Sequence, residues 1–138
     1  MSISIKMPGG GIQEIDGDDL QWMRNAFTSE WKGTVMLRLR DVVIYSIESL
    51  QILADKFETD GDPLVNFTSP DGQTTLLVNP TNVKRVDESN PVFHHEDARA
   101  LLKFDRKTAL AVRETVDEVK RRLRGVGEVA RVRIMPSG

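Results

Sequence analysis

Residues 64–80 read Leu-Val-Asn-Phe-Thr-Ser-Pro-Asp-Gly-Gln-Thr-Thr-Leu-Leu-Val-Asn-Pro. Two short apolar runs, 64–68 and 74–78, flank the segment 69–72, in which proline fixes φ and glycine accepts a positive φ. The stretch therefore predicts a β-hairpin. Asn79-Pro80 ends its second strand, because proline has no amide hydrogen to donate to a ladder.

The residues after this hairpin complete a small unit. Residues 83–86 predict a third strand, and 100–104 with 108–112 predict a second hairpin around Asp105-Arg106-Lys107. A helix follows, because Thr115 and Glu118 have the spacing of a capping box. Its apolar face is formed by Val116, Val119 and Leu123.

The same pattern occurs in the first half of the chain. Apolar and turn-forming positions match when two slips in register are allowed, and these are the positions that a fold must keep. The matches are Ile3 and Ile5 with Val65 and Phe67, 7–10 with 69–72, Ile15 with Val78, 48–50 with 114–116, and Leu53 and Phe57 with Val119 and Leu123. We therefore predict a tandem duplication. A single-copy α+β domain is the alternative.

The first unit is less sharply patterned. Residues 35–39 and 42–45 predict strands, and Ile47, Leu50, Leu53 and Phe57 predict a helix capped by Ser46 or Ser49. Residues 13–20 are more polar than their counterparts. The first copy is therefore expected either to lack a strand there or to form a helix over Asp18–Phe27, where Leu20, Met23 and Phe27 have helical spacing.

These patterns predict three segments: a first β-rich/α unit at 1–58, a second at 63–125, and a C-terminal extension at 126–138. Residues 59–63 form the linker. A unit of about 60 residues buries only about 60% of its unfolded surface, so two copies are expected to share a core. The predicted fold class is α+β: two ββ(β)ββα units packed as one pseudo-twofold body, with an antiparallel sheet, two main helices, and a C-terminal edge strand at 129–135.

Composition favours a cytoplasmic protein that is not bound to a membrane. The 138 residues are 39% hydrophobic and 29% charged, with a net charge of −2 and no cysteine. Disulfides and thiolate metal sites are excluded. The first residues lack the pattern of a secretory signal, and no stretch approaches the roughly 20 apolar residues of a membrane span.

Residues 64–124 resemble the small flagellar-operon proteins of the FlbD type. The resemblance rests on Leu77-Val78-Asn79, the strand and acidic end at 83–88, the hairpin at 101–112, and the helix start Arg-Glu-Thr-Val-Asp-Glu-Val at 113–119. This chain differs from that family in having two units and a basic C-terminal extension. The resemblance implies a non-enzymatic accessory domain and does not by itself imply a flagellar role.

Candidate sites for metal or phosphate are weak. His94-His95-Glu96-Asp97 has metal-ligand types, but adjacent side chains of an extended segment point to opposite sides. Residues 16–19 and 60–62 lack the full pattern of a calcium loop. Gly9-Gly10-Gly11 lacks the lysine and hydroxyl residue of a phosphate loop. No metal, cofactor or catalytic residue is predicted.

One cluster of basic residues lies at the end of the chain: Lys120, Arg121, Arg122, Arg124, Arg131 and Arg133. No aromatic side chains interleave it, so nucleic acid is not an expected partner. The predicted binding residues are Arg121, Arg122, Arg124, Arg131 and Arg133, with His94 and His95, whose protonation could tune an interface.

These observations predict a non-enzymatic structural or adaptor protein. It is expected to form homo-oligomers or to bind protein partners through strand edges and the basic C-terminal region. The alternative is a binding protein for a small anionic, nucleotide-like ligand, held by arginines in a groove between repeats or subunits.

Overall fold

The computed structural model describes residues 2–30, 33–60, 63–90 and 96–124. Within these ranges the chain is a mixed α+β fold of ten strands in three antiparallel sheets with two α-helices, as predicted at this level. The elements are β1 Ser2–Lys6, β2 Ile12–Asp16, β3 Leu20–Asn25, β4 Val35–Leu39, β5 Val43–Ser46, α1 Leu50–Asp60, β6 Val65–Thr68, β7 Thr75–Val78, β8 Arg85–Glu88, β9 Ala100–Lys103, β10 Ala109–Val112, and α2 at 116–124.

The chain divides into two compact units. The first contains the described residues of Met1–Asn66 together with Thr74–Asn82, and the second contains Phe67–Gln73 together with the described residues from Val83 onward. The predicted segments 1–58, 63–125 and 126–138 are defined by the repeat pattern in the sequence, whereas the two compact units are defined by contacts in the structure. The predicted segments therefore stay a prediction. The extension 126–138, with its expected edge strand, lies outside the described residues.

The three sheets have the strand orders β1-β2, β5-β4-β3-β7-β6 and β10-β9-β8. Strands β3, β4 and β5 pair with one another in the same order as β8, β9 and β10. In the first unit Met23 lies opposite Leu37 and Leu37 opposite Ile44; in the second, Val86 lies opposite Leu102 and Leu102 opposite Leu110. The order of strands and helix along residues 2–60 is thus repeated along residues 65–124.

The core of the first unit combines side chains from β1 and β2, from four strands of the five-stranded sheet, and from α1. Leu53 and Phe57 of the helix pack there with Ile3, Ile5, Ile15, Leu20, Met23, Val35, Leu37, Leu39, Ile44, Ala54 and Leu77. Since full burial of such a side chain contributes about 1.5–3 kcal/mol, this cluster is the main source of stability for the unit.

The helix proposed for Asp18–Phe27 is wrong. Leu20–Asn25 is strand β3, and Ile12–Asp16 is also a strand, so the first half has not lost one either. β3 pairs with β4 on one side and with β7 on the other. Two ladders of hydrogen bonds outweigh the weak helical spacing of three apolar residues.

The start of α1 corrects a second detail. Ser49, one of the two predicted caps, accepts a hydrogen bond from the Ile52 amide at 3.2 Å. Ser46 is instead a buried strand residue whose hydroxyl donates to the Lys6 carbonyl at 2.9 Å. Ile47 does not line the helix: it precedes α1 and is exposed.

No helix among the described residues is long and apolar enough to cross a membrane.

Candidate interaction edges

The β3–β7 pairing joins strands from different halves of the sequence inside the first unit. Trp22 lies opposite Val78 and Met23 opposite Leu77. The Asn79 amide continues the ladder by donating to the Gln21 carbonyl at 2.9 Å. A strand from residues 63–125 therefore extends the sheet built by residues 1–58, which is strand addition within one chain.

A buried asparagine fixes the end of this pairing. Asn82 Nδ2 donates to the carbonyls of Asp18 at 2.7 Å and Leu20 at 2.6 Å, and its Oδ1 lies 3.3 Å from Arg40 Nη2. Arg40 also faces Asp19 across 3.6 Å. Since an unpaired buried amide is costly, these partners hold the polypeptide after β7 in one position on β3.

The counterparts of these two strands end their sheets. In the predicted duplication, β2 corresponds to β7 and β8 corresponds to β3. Among the described residues, β2 pairs only with β1, and β8 pairs only with β9. The two outer edges of these strands are therefore candidate interaction edges.

The candidate edges differ in polarity from the β3–β7 pairing. β7 carries buried Leu76, Leu77 and Val78, whereas the matching residues Gln13 and Glu14 of β2 are exposed. On the other strand, Gln21 and Met23 are buried, whereas of their counterparts Lys84 is exposed and Val86 is half-buried. β2 thus carries acidic Glu14 and Asp16, whereas the β8 edge begins with basic Lys84 and Arg85 and ends with acidic Asp87 and Glu88. Arg85 also contacts Asp87 at 2.9 Å.

A glutamate anchors the start of the helix in each unit. Glu48 accepts a hydrogen bond from the Lys6 amide at 3.2 Å, and Lys56 Nζ lies 2.6 Å from its Oε1. Burial raises the pKa of Glu48. The hydrogen bond from Lys56, the hydrogen bond from the Lys6 amide and the positive charges of both lysines outweigh that effect, so the pKa lies below its ordinary value of 4.5.

Glu114 has the same position in the second unit. It accepts a hydrogen bond from the Thr68 amide at 2.9 Å, and Arg122 Nη1 lies 3.4 Å from its Oε2. In both units the cation follows the glutamate by eight residues, on the helix that the glutamate precedes. The arrangement ties the helix to the end of the first strand.

This geometry locates two of the predicted binding residues. Arg122 Nε also contacts Glu118 Oε1 at 2.9 Å, and its guanidinium lies 5.7 Å from the centre of the Phe67 ring. Arg121 contacts the other oxygen of Glu118. Both arginines are therefore engaged within the second unit, so an anion would compete with carboxylates for them.

The other predicted binding residues are located only in part. Arg124 is exposed near the end of the described part of α2. His94, His95, Arg131 and Arg133 lie outside the described residues, and their assignment stays a prediction.

Sequence reasoning predicted binding through strand edges but did not identify β2 and β8 as the strands concerned. The signal was the contrast between Leu76-Leu77-Val78 and Gln13-Glu14-Ile15 in matching strands. Such a contrast is expected when one copy of a strand is covered on its outer side and the other is exposed.

A further exposed apolar edge lies on β5, the terminal strand of the five-stranded sheet. Val43 and the adjacent Val42 and Ile47 are exposed by 37%, 48% and 51%. Their counterparts in the second half are Ala109, Thr108 and Arg113. The apolar character is therefore specific to the first half.

Within the described ranges, no group of three or more histidine, aspartate or glutamate side chains is placed to hold a metal ion.

No protein-family model, curated protein or solved structure matches the chain in the comparisons made with it.

Proposed function

We propose that this chain is a non-enzymatic structural or adaptor protein built from a duplicated unit, and that it binds protein partners through strand edges and its basic C-terminal region. The observation that carries the proposal is the β3–β7 pairing, in which a strand from the other half of the sequence adds to the sheet beside β3. The same kind of pairing, offered to another chain, is a common mode of protein recognition.

Matching backbone hydrogen bonds support the duplication. Ile47 N–H donates to the Lys6 carbonyl at 3.0 Å, and its counterpart Arg113 N–H donates to Thr68 at 2.9 Å. Further matching pairs are Thr34 to Ser46 with Arg99 to Val112, Ala26 to Thr34 with Ser89 to Arg99, and Leu53 to Ser49 with Val119 to Thr115. The FlbD-type resemblance of residues 64–124 remains part of this proposal. The pseudo-twofold packing predicted from the sequence is an alternative arrangement of the two copies, which the solution mass of the chain tests.

The contacts of the arginines favour an adaptor over a receptor for a small anionic ligand. Arg122 is held by Glu114 and Glu118, and Arg121 by Glu118. A ligand phosphate would have to displace these carboxylates from both guanidinium groups. Strand edges, in contrast, need no rearrangement to add a partner strand.

Sedimentation velocity and thermal unfolding test the proposal together. An adaptor is expected to change its sedimentation with its own concentration or with a protein partner. Its melting temperature should not respond to a panel of nucleotides and other anionic metabolites at millimolar concentration. A saturable rise in melting temperature with one of these anions, at an unchanged mass of 15.5 kDa, would contradict the proposal in favour of the ligand receptor.

A further inference from the structure

We infer that the outer edge of β8 pairs with the outer edge of β2 of a second copy of this chain, in the register that joins β3 to β7. This inference deepens the proposed function and rests on it, because it names the partner and the contact. The contact is head to tail: each chain offers β2 of its first unit to one neighbour and β8 of its second unit to another.

The direction of the backbone groups on β2 supports this pairing. Met7 N–H donates to the Gly11 carbonyl at 2.8 Å, and Lys6 lies opposite Ile12. Because inward and outward residues alternate in an antiparallel pair, Ile3 and Ile5 exchange hydrogen bonds with Ile15 and Gln13. The amide and carbonyl of Glu14 therefore point away from β1.

The outward groups of β8 are fixed in the same way. Ser89 N–H donates to the Arg99 carbonyl at 3.3 Å, so the groups of Asp87 and Arg85 face β9 and those of Val86 point outward. Lys84 N–H donates to the Lys103 carbonyl at 2.7 Å. We infer that the Lys84 carbonyl at the start of β8 occupies the place that the Gln21 carbonyl has on β3, where it accepts a hydrogen bond from the Asn79 amide.

The register of the β3–β7 pairing then predicts the new contact. In β3–β7, Met23 lies opposite Leu77, so their counterparts Val86 and Glu14 are expected to lie opposite each other. Likewise Gln21 accepts a hydrogen bond from Asn79, so their counterparts Lys84 and Asp16 are expected to face each other. The outward groups of the two edges are therefore matched, because Glu14 and Val86 can exchange two hydrogen bonds.

Charge complementarity distinguishes this contact from a protected edge. In the predicted register Lys84 has Asp16 directly opposite and Glu14 diagonally opposite, on one face of the sheet; Glu88 is the other diagonal neighbour of Glu14. Within its own chain, Asp16 Oδ1 accepts a hydrogen bond from the Asp18 amide at 3.0 Å, and Glu14 accepts one from the Ser4 hydroxyl. Such cross-strand pairs of opposite charge contribute about 0.2–1 kcal/mol each. A strand edge that only repels other strands has no need for a matching partner of opposite charge elsewhere in the chain.

A head-to-tail contact generates a closed ring or an open filament, depending on the rotation between neighbours. The competing arrangement is the pseudo-twofold body, in which β2 and β8 of one chain would pair with each other and leave a monomer. Solution mass therefore separates the two arrangements directly.

The test uses two charge reversals of exposed residues in the full-length chain, Glu14→Lys and Lys84→Glu, measured by light scattering and sedimentation at several concentrations. The wild type is expected at a multiple of 15.5 kDa. Each variant alone should assemble more weakly than wild type, with unchanged circular dichroism. Lys84→Glu places a like charge opposite Asp16 and near Glu14, and Glu14→Lys places a like charge near Lys84. An equimolar mixture should assemble again, since the two reversals together restore opposite charges between position 14 of one variant and position 84 of the other.

Two results would overturn the inference. One is a wild-type chain that stays at 15.5 kDa at every concentration, and the other is assembly as strong as that of the wild type in both variants. Neither result removes the proposed function, because the edges could still bind a different protein. That function fails on a separate measurement, the saturable stabilisation by an anion described above.

Discussion

Arg122 Nη1 lies 3.4 Å from Glu114 Oε2, and this pair reproduces in the second unit the contact between Lys56 and Glu48 in the first. Each cation sits on a helix eight residues after the glutamate that accepts a hydrogen bond from the end of the first strand. Arg122, which the sequence predicts as a binding residue, thus also has a structural role in its own unit.

Replacing Glu48 by glutamine should destabilise the chain in a pH-dependent way. The pKa of Glu48 is lowered in the folded state, so its contribution is complete above the unfolded-state pKa near 4.5 and is lost as the pH falls through the folded-state value. We expect a loss of about 1–3 kcal/mol at pH 7. Urea unfolding at a series of pH values should show the difference from wild type shrinking below about pH 4.5.

The matched control is Asp41→Asn, which removes one negative charge from an exposed turn. Its effect should stay within about 0.5 kcal/mol, as for most surface substitutions. A loss for Glu48→Gln that is constant from about pH 7 to about pH 3 would contradict the lowered pKa.

The two helix caps should contribute equally. Ser49 Oγ accepts from the Ile52 amide at 3.2 Å and Thr115 Oγ1 from the Glu118 amide at 3.3 Å. Alanine at either position should lower the free energy of unfolding by about 1 kcal/mol. Ser49→Thr and Thr115→Ser keep an oxygen in place and should retain most of the stability in denaturant titrations.

Matching core positions should respond alike to truncation. Leu37 and Leu102 are both fully buried and occupy corresponding places in β4 and β9. Alanine at either position should lower the free energy of unfolding by about 2–5 kcal/mol. The exposed Ile52 of α1 provides the control, because Ile52→Ala should have a much smaller effect. A mild effect at only one of the two leucines would argue against equivalent cores.

The β3–β7 pairing should tolerate charge poorly. Leu77 is buried opposite Met23, whereas its counterpart Glu14 is already charged and exposed. Leu77→Glu should therefore cost more than about 2 kcal/mol in the free energy of unfolding, because an unpaired carboxylate would be buried. Gln13→Glu, on the exposed counterpart strand, should leave the melting temperature of the folded chain nearly unchanged.

Local signals predicted most of the strands and the Thr115 cap of α2, and Ser49 was one of the two caps predicted for α1. The segment Ser69-Pro70-Asp71-Gly72 forms the expected turn with Gly72 at φ 76°, and its counterpart has Gly10 at φ 90°. Turn chemistry and the period of two are properties of a few neighbouring residues, so a single sequence is sufficient to read them.

The strand pairings between sequence halves could not be read in this way. β3 was ambiguous because Leu20, Met23 and Phe27 have helical spacing, and only its ladders with β4 and β7 make it a strand. Likewise, the ion pairs of Arg122 depend on residues that α2 brings together, so composition alone made it look available. Pairings of distant residues are fixed by tertiary structure.

Hydrogen exchange of the backbone amides of Glu14 and Val86 tests the head-to-tail contact most directly. These amides point outward from β2 and β8, and their exchange can be followed in the wild-type chain at low and high protein concentration. We expect both to exchange rapidly in dilute solution and to become protected together as concentration rises, whereas the Asn79 amide stays protected throughout. Exchange of the two edge amides that does not depend on concentration would contradict the head-to-tail contact.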